Sequence, residues 1–351
     1  MKTNLAKKLI QLILFLGIGV FFIWISIKDL TACDINTIKE SAKTIMSPKP
    51  FLLIMLSILV MAFGHFIRGL RSVMLINPLG YKLRKSTAFY AVMVSYLANL
   101  AFPRLGEVLR CSFLQRYDNV PFQKSLGTIV TERVIDLLIW ILLMIIAIML
   151  NTSVLSQLVV NQVTGETMGL WLTNKFNGMI HNYILIAFGS VVMISGAILY
   201  FTRHKWMKIK FFAKLGNLVK GVWQGLISIK DLQNPFLFVV YTLLIWVTYF
   251  LGAYILFFAF DFLSGLGFLP ALSILAFGTI GFMVAQGGLG AYPLLVAGIF
   301  VIYGVEYSQG LAAGWIGWSA QTIMILVVGF SSLILAALLN KQKVENIEPH
   351  E

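Results

Sequence analysis

Asn99-Leu-Ala-Phe-Pro-Arg-Leu-Gly-Glu-Val-Leu-Arg110 closes an apolar run with Pro103, Arg104, Gly106, Glu107 and Arg110. One Arg, Lys or Asp at the centre of a membrane-spanning helix costs about 3 kcal/mol on insertion scales. Two arginines and a glutamate in such a place need partners, water or a polar ligand. Proline and glycine beside them break the helix there, and broken backbone at membrane depth survives only when buried in protein or lining a water-filled cavity.

The setting is a membrane because 59% of the 351 residues are hydrophobic and only 12% charged, with a mean hydropathy of +0.88. Apolar runs recur from Leu9 to Leu339, so the chain reads as an all-α polytopic membrane protein. The longest polar-leaning gaps are Lys28–Lys49, Asn151–Asn177 and Arg203–Asp231, too short for a separate soluble domain. The formal charge of +13 does not point to nucleic acid, since the basic residues lie between apolar spans, where they set orientation and meet anionic lipid.

Full spans are expected near Leu9–Ile27, Phe51–Leu70, Ser125–Leu150, Ile180–Phe201, Pro235–Phe260 and Leu311–Leu339. Loop charges orient them. Lys2, Lys7 and Lys8 put the N-terminus in the cytoplasm, as do Arg71, Lys82, Arg84 and Lys85 their loop, and Arg203 to Lys230 theirs; Asn151–Asn177 falls outside. Parity then constrains the two remaining apolar segments. The chain is inside both at Lys85 and near Lys124, so Ala88–Phe102 with the motif after it dips in and returns. Leu266–Tyr303 must likewise begin and end outside, with Gln286-Gly287-Gly288-Leu289-Gly290 as its break.

The expected plan is therefore six spans plus two re-entrant helical hairpins entering from opposite sides, an inverted repeat. A single transmembrane domain covers 1–340, with one unit at about 51–150 and the other at about 235–339, and 341–351 forms a short cytoplasmic tail. Residues 203–232 suit an interfacial amphipathic helix, with apolar Trp206, Ile209, Phe212 and Leu215 spaced among lysines. Both termini are expected in the cytoplasm of a plasma or inner membrane. Cys33 and Cys111 fall on opposite sides, which excludes a disulfide between them. Leu30-Thr31-Ala32-Cys33 mimics a lipoprotein cleavage box, but Lys28 and Asp29 separate it from the apolar run.

Broken helices at corresponding positions of two oppositely oriented halves mark a transporter's binding site. Arg104 and Arg110 suit a phosphate, to which guanidinium groups bind bidentately. Glu107, three residues from each, would position or neutralise them. Glu132 and Asp136 share a helix face beside Arg133, and need a cation, a proton or an arginine such as Arg68, Arg71 or Arg104 between them. His65 and Arg68 lie at helical spacing and can join that network. Gln286, Gly287, Gly288 and Gly290 allow positive φ and leave amides for an anion, or serve helix packing.

Asn99-x-x-x-Pro103-Arg104-x-Gly106-Glu107-x-x-Arg110, then Glu132-Arg133-x-x-Asp136, then Gly287-Gly288-Leu289-Gly290 together resemble the flippase-like membrane region of the lysylphosphatidylglycerol synthase family. The resemblance covers nearly the whole chain. It implies re-entrant hairpins and a role in moving lipid headgroups between leaflets, with Asn99, Arg104, Glu107, Arg110, Arg68, Glu132, Arg133, Asp136 and the Gln286–Gly290 turn about the substrate. Two positions depart from it: Gln286 stands where the family often has proline, and Pro293 where it often has glutamate. The aminoacyl-transferase domain of the full-length synthases is not in this sequence.

The expected function is translocation of a phosphate-bearing phospholipid or lipid-linked headgroup, without catalysis, cofactor or metal, and with an anionic lipid as partner. Two alternatives are an enzyme acting on a lipid phosphate, with Glu107, Glu132 and Asp136 gathering a divalent cation, and a non-catalytic partner in envelope lipid biogenesis.

Overall fold

A computed structural model describes residues 17, 20–28, 30–102, 104–150 and 232–345. Every regular element among them is helical. The expected span at 180–201 and interfacial helix at 203–232 fall outside the described residues, apart from Leu232, as does most of the first span, of which residues 20–27 are helical.

Four of the described helices are long and apolar enough to cross a membrane, running over Pro48–Leu79, Phe122–Leu150, Pro235–Phe257 and Tyr307–Leu339. Their ends follow local chemistry. The short helix α1 (Ala32–Thr44) starts at a capping box, in which Thr31 accepts from the Asp34 amide and Asp34 accepts from the Thr31 amide. Helix α2 (Pro48–Ile76) places Pro48 in its first turn, where the missing N–H costs nothing. Phe51, Leu52, Met55, Leu56, Leu59, Phe63 and Phe66 form its exposed stripe at helical spacing, the face for lipid, while His65, Arg68, Arg71 and Ser72 turn inward.

The first hairpin comprises α3 (Lys85–Ala101) and α4 (Leu105–Asp118), of 17 and 14 residues. At 1.5 Å per residue these arms reach only about 25 and 21 Å, less than the roughly 30 Å hydrocarbon core. Its open base is tied where Arg84 donates to Asp118 from Nε at 2.6 Å and from its main-chain N–H at 2.9 Å. Asn119, at φ 56°, ends α4 in the left-handed conformation that asparagine tolerates. Helix α5 (Phe122–Leu150) completes the first unit.

The second unit repeats the order. After α6 (Pro235–Phe257), capped by Asn234, come α7 (Phe268–Ser273), a wider π turn (Ile274–Gly278) and α8 (Thr279–Val284) as one arm. Helix α9 (Ala291–Ile302) is the other arm, and α10 (Tyr307–Glu345) follows. Helix α10 runs past the expected end of the last span, so the start of the expected tail continues that helix. The break at 285–290 falls on the glycine run.

Packing between units is reciprocal. Helices α2 and α6, each the first of its unit, lie along one another; α3 packs on α10, and α5 packs on α7 and the π turn. One arm of each hairpin, too short to span, is thus packed against a long helix of the other unit, which supplies part of the enclosure that interrupted backbone requires.

Candidate functional site

The two hairpin breaks meet. Around the first, Arg104 sits at φ 61°, a left-handed conformation uncommon outside glycine, and immediately precedes α4. The Asn99 side-chain oxygen accepts from the Gly106 amide at 2.8 Å, closing the turn. A Cβ on Gly106 would lie 2.1 Å from the Ser95 carbonyl oxygen, so only glycine lets α4 approach α3 this closely. At the second break Gly287, Gly288 and Gly290 all have positive φ. The Gln286 side-chain amide donates to the Asn99 main-chain oxygen, and the Trp318 indole donates to the Gly287 carbonyl at 2.8 Å.

Beside this junction lies a cavity of about 1080 Å³. Among the residues singled out in the sequence, His65, Arg68, Asn99, Arg104, Glu107, Arg133, Asp136, Gln286 and Gly287 line it, whereas Arg71, Arg110, Glu132, Gly288 and Gly290 do not. Aromatic walls come from Tyr96, Trp140, Trp246, Tyr249, Phe282 and Tyr292. The sequence reading passed over these because one aromatic on an apolar helix carries no signal of which neighbour it will face. Trp140 donates from Nε1 to the Ala276 carbonyl of the π turn at 2.8 Å, joining α5 to the second hairpin.

The ion pairs differ from the expected arrangement at two points. Arg110 is 4% exposed and pairs in a bidentate fork with Glu132, itself 1% exposed, with both N–O distances 3.0 Å. Ser72 joins this pair, accepting from Arg110 and donating to Glu132 at 2.8 Å. A guanidinium spent in this way is not offered to the cavity. Glu107 positions neither Arg104 nor Arg110; it accepts from Arg133, 3.0 Å away. The reason is helical geometry, since the first turn of α4 presents Glu107 to α5 while Arg110, three residues on, enters the interior beside α2.

Asp136 accepts from Arg68 at 2.6 Å and from Arg71 at 2.8 Å. Arginine therefore separates Glu132 from Asp136, the role foreseen for Arg68 or Arg71, while Arg104 takes no part. Among the described residues Arg104 forms no ion pair. Glu107 and Glu132 each face one arginine and Asp136 faces two, and no cluster of three His, Cys, Asp or Glu side chains suited to a metal ion occurs among the described residues. At the second break, the Gly288 and Leu289 amides donate to the Ala285 and Gln286 carbonyls, at 2.9 and 3.2 Å. Those two donors close the turn instead of facing an anion. Cys33 is exposed and Cys111 buried, and neither is in a disulfide.

Residues 9–329 match the family described as the lysylphosphatidylglycerol synthase TM region. The chain belongs to that family. Membership agrees with the helical membrane architecture and gives the protein a lipid-related membrane role. A stretch of 73 residues is also 32% identical to Glycosyltransferase AglD of Haloferax volcanii. That stretch is 20% of this chain and 12% of the length of the archaeal protein. No solved structure matches the chain.

Proposed function

We propose that this family member moves a phosphate-bearing lipid or lipid-linked headgroup between leaflets. The observation that carries the reading is Arg104, which has no ion-pair partner among the described residues and lines the cavity where two interrupted hairpins meet. A guanidinium remains charged at any physiological pH, and Arg104, exposed at the cavity, is open to an anion. The phosphate of a lipid headgroup supplies it, and the aromatic wall accommodates the less polar atoms that follow. Glu107 and Arg133 shape the rim, while Arg110 and Glu132 hold α4 against α5 and keep the first hairpin in place. Family membership supports a lipid as cargo.

The test is reconstitution in liposomes with a headgroup-labelled anionic lipid, following loss of outer-leaflet label. Wild type should move the lipid. Arg104→Ala should abolish movement while melting like wild type in detergent, and normal movement by that variant overturns the proposal. Metal-dependent turnover of a lipid phosphate without movement would instead favour the enzyme reading.

A further inference from the structure

The charges around the cavity do not balance. Among the described residues, Arg110 with Glu132 and Arg133 with Glu107 are neutral pairs, whereas Asp136 serves both Arg68 and Arg71, and Arg104 has no carboxylate. Two positive charges are left over. They have different locations, one in the buried Arg68–Asp136–Arg71 triad between α2 and α5, the other at the hairpin break. Arg68 and Arg104 both line the cavity. Arginine does not shed its proton to relieve such an excess, so an anion entering the cavity is favoured as the counter-charge.

Hydrogen-bonding capacity in the same wall is unspent and mostly of one kind. His65 Nε2, Arg68 Nε and Trp246 Nε1 are buried with no partner among the described residues, against a single buried acceptor, Glu107 Oε2. His65 is 2% and Arg68 5% exposed. His65 meets the Tyr249 hydroxyl through Nδ1 at 3.2 Å, and the Arg68 guanidinium lies 5.8 Å from the Tyr249 ring centroid. Arg68 Nε and Trp246 Nε1 are donors, and His65 Nε2 is a third in the tautomer whose Nδ1 accepts from the Tyr249 O–H. Buried donors without acceptors are costly to a fold, and an anionic oxygen relieves them best.

We infer that the cavity selects a dianionic phosphoryl headgroup, a phosphomonoester or a diphosphate, over the singly charged phosphodiester of ordinary phospholipids. Arg104 takes one side of the group, and Arg68 with the Trp246 indole and the His65 imidazole takes the other. The second charge of a phosphomonoester at neutral pH matches the second unbalanced arginine. This rests on the translocation proposal only for the anion's being part of a lipid.

Binding to the purified full-length protein in detergent separates the two ideas, because it is read without any transbilayer movement. Short-chain phosphatidic acid, short-chain phosphatidylglycerol and inorganic phosphate are titrated against wild type, Arg104→Gln and Trp246→Phe. Wild type should bind phosphatidic acid about tenfold or more tighter than phosphatidylglycerol, the factor that one further charge-assisted hydrogen bond supplies. Arg104→Gln should bring the two lipids within about threefold of one another, and Trp246→Phe, which keeps an aromatic ring but loses the N–H, should weaken phosphatidic acid selectively. Arg104→Lys should retain part of the preference, as charge without the planar fork. Equal affinity for the two lipids in wild type, or full discrimination in Arg104→Gln, overturns the inference. Inorganic phosphate binding as tightly as phosphatidic acid would uphold the dianion site and move its source from lipid to free anion. Discrimination without movement in liposomes would leave the inference standing and remove the translocation proposal.

Discussion

The side chain of Gln286 donates to the main-chain carbonyl of Asn99, 187 positions earlier, and so joins the tips of two hairpins from different halves of the chain. Asn99 works in two directions, since its side-chain oxygen also accepts from the Gly106 amide within its own hairpin. The junction thereby couples the closure of the first break to the position of the second.

Asn99→Ala loses the bond to Gly106, whereas Gln286→Leu loses only the contact between tips. A hydrogen bond contributes about 1 kcal/mol net, and stranding a buried partner costs roughly 1–3 kcal/mol. Asn99→Ala is expected to lower the melting temperature in detergent more than Gln286→Leu, with both slowing lipid movement. Equal melting temperatures for Asn99→Ala and wild type would show that its side chain has no part in closing the turn.

Arg110 and Glu132 are a buried pair whose members should be more damaging to lose singly than together. Removing one partner of such a pair costs about 3–5 kcal/mol because it strands the other charge, while apolar replacement of both is often near neutral. Arg110→Met and Glu132→Met should each express poorly, and the double variant should recover stability and some lipid movement. A double variant less stable than either single one would contradict the pairing.

Glu107 and Arg133 bound the cavity with side chains 26% and 45% exposed, so their pair adds little to stability. Exposed pairs contribute roughly 0–1 kcal/mol. Glu107→Gln should melt within a few degrees of wild type and yet change the apparent affinity for lipid. A large drop in melting temperature with unchanged transport would make the pair structural.

Gly106→Ala tests the close approach of α3 and α4. The added Cβ meets a main-chain oxygen, which no rotamer change can move, and overpacking of this kind costs about 1–3 kcal/mol. We expect lower thermal stability and impaired transport together, read by melting in detergent and by the liposome assay. Wild-type melting would mean that the hairpin arms separate without penalty.

The helical membrane class was legible in the apolar runs, and both breaks were legible because Pro103, Gly106 and Gly287–Gly290 interrupt them. Local patterns of this kind record what the backbone does within a few residues. The pairing of arginines was less legible. The sequence allowed Glu107 to reach Arg104 or Arg110 at helical spacing, yet its partner is Arg133 on another helix. The aromatic wall was missed for the same reason, as Tyr96, Trp246 and Tyr249 come from helices far apart in the chain and are brought together only by packing.

Sequence alone determined that this chain lives in a bilayer and that it breaks twice at charged or glycine-rich points. Those properties follow from transfer energies and backbone sterics, which act residue by residue. Tertiary structure decided which arginine each carboxylate neutralises and which one is left over. Buried charges choose partners by proximity in three dimensions, and the α2–α5 and α4–α5 contacts set that proximity. Arg110 is thereby committed to Glu132, and Arg104 remains at the cavity with no carboxylate partner among the described residues.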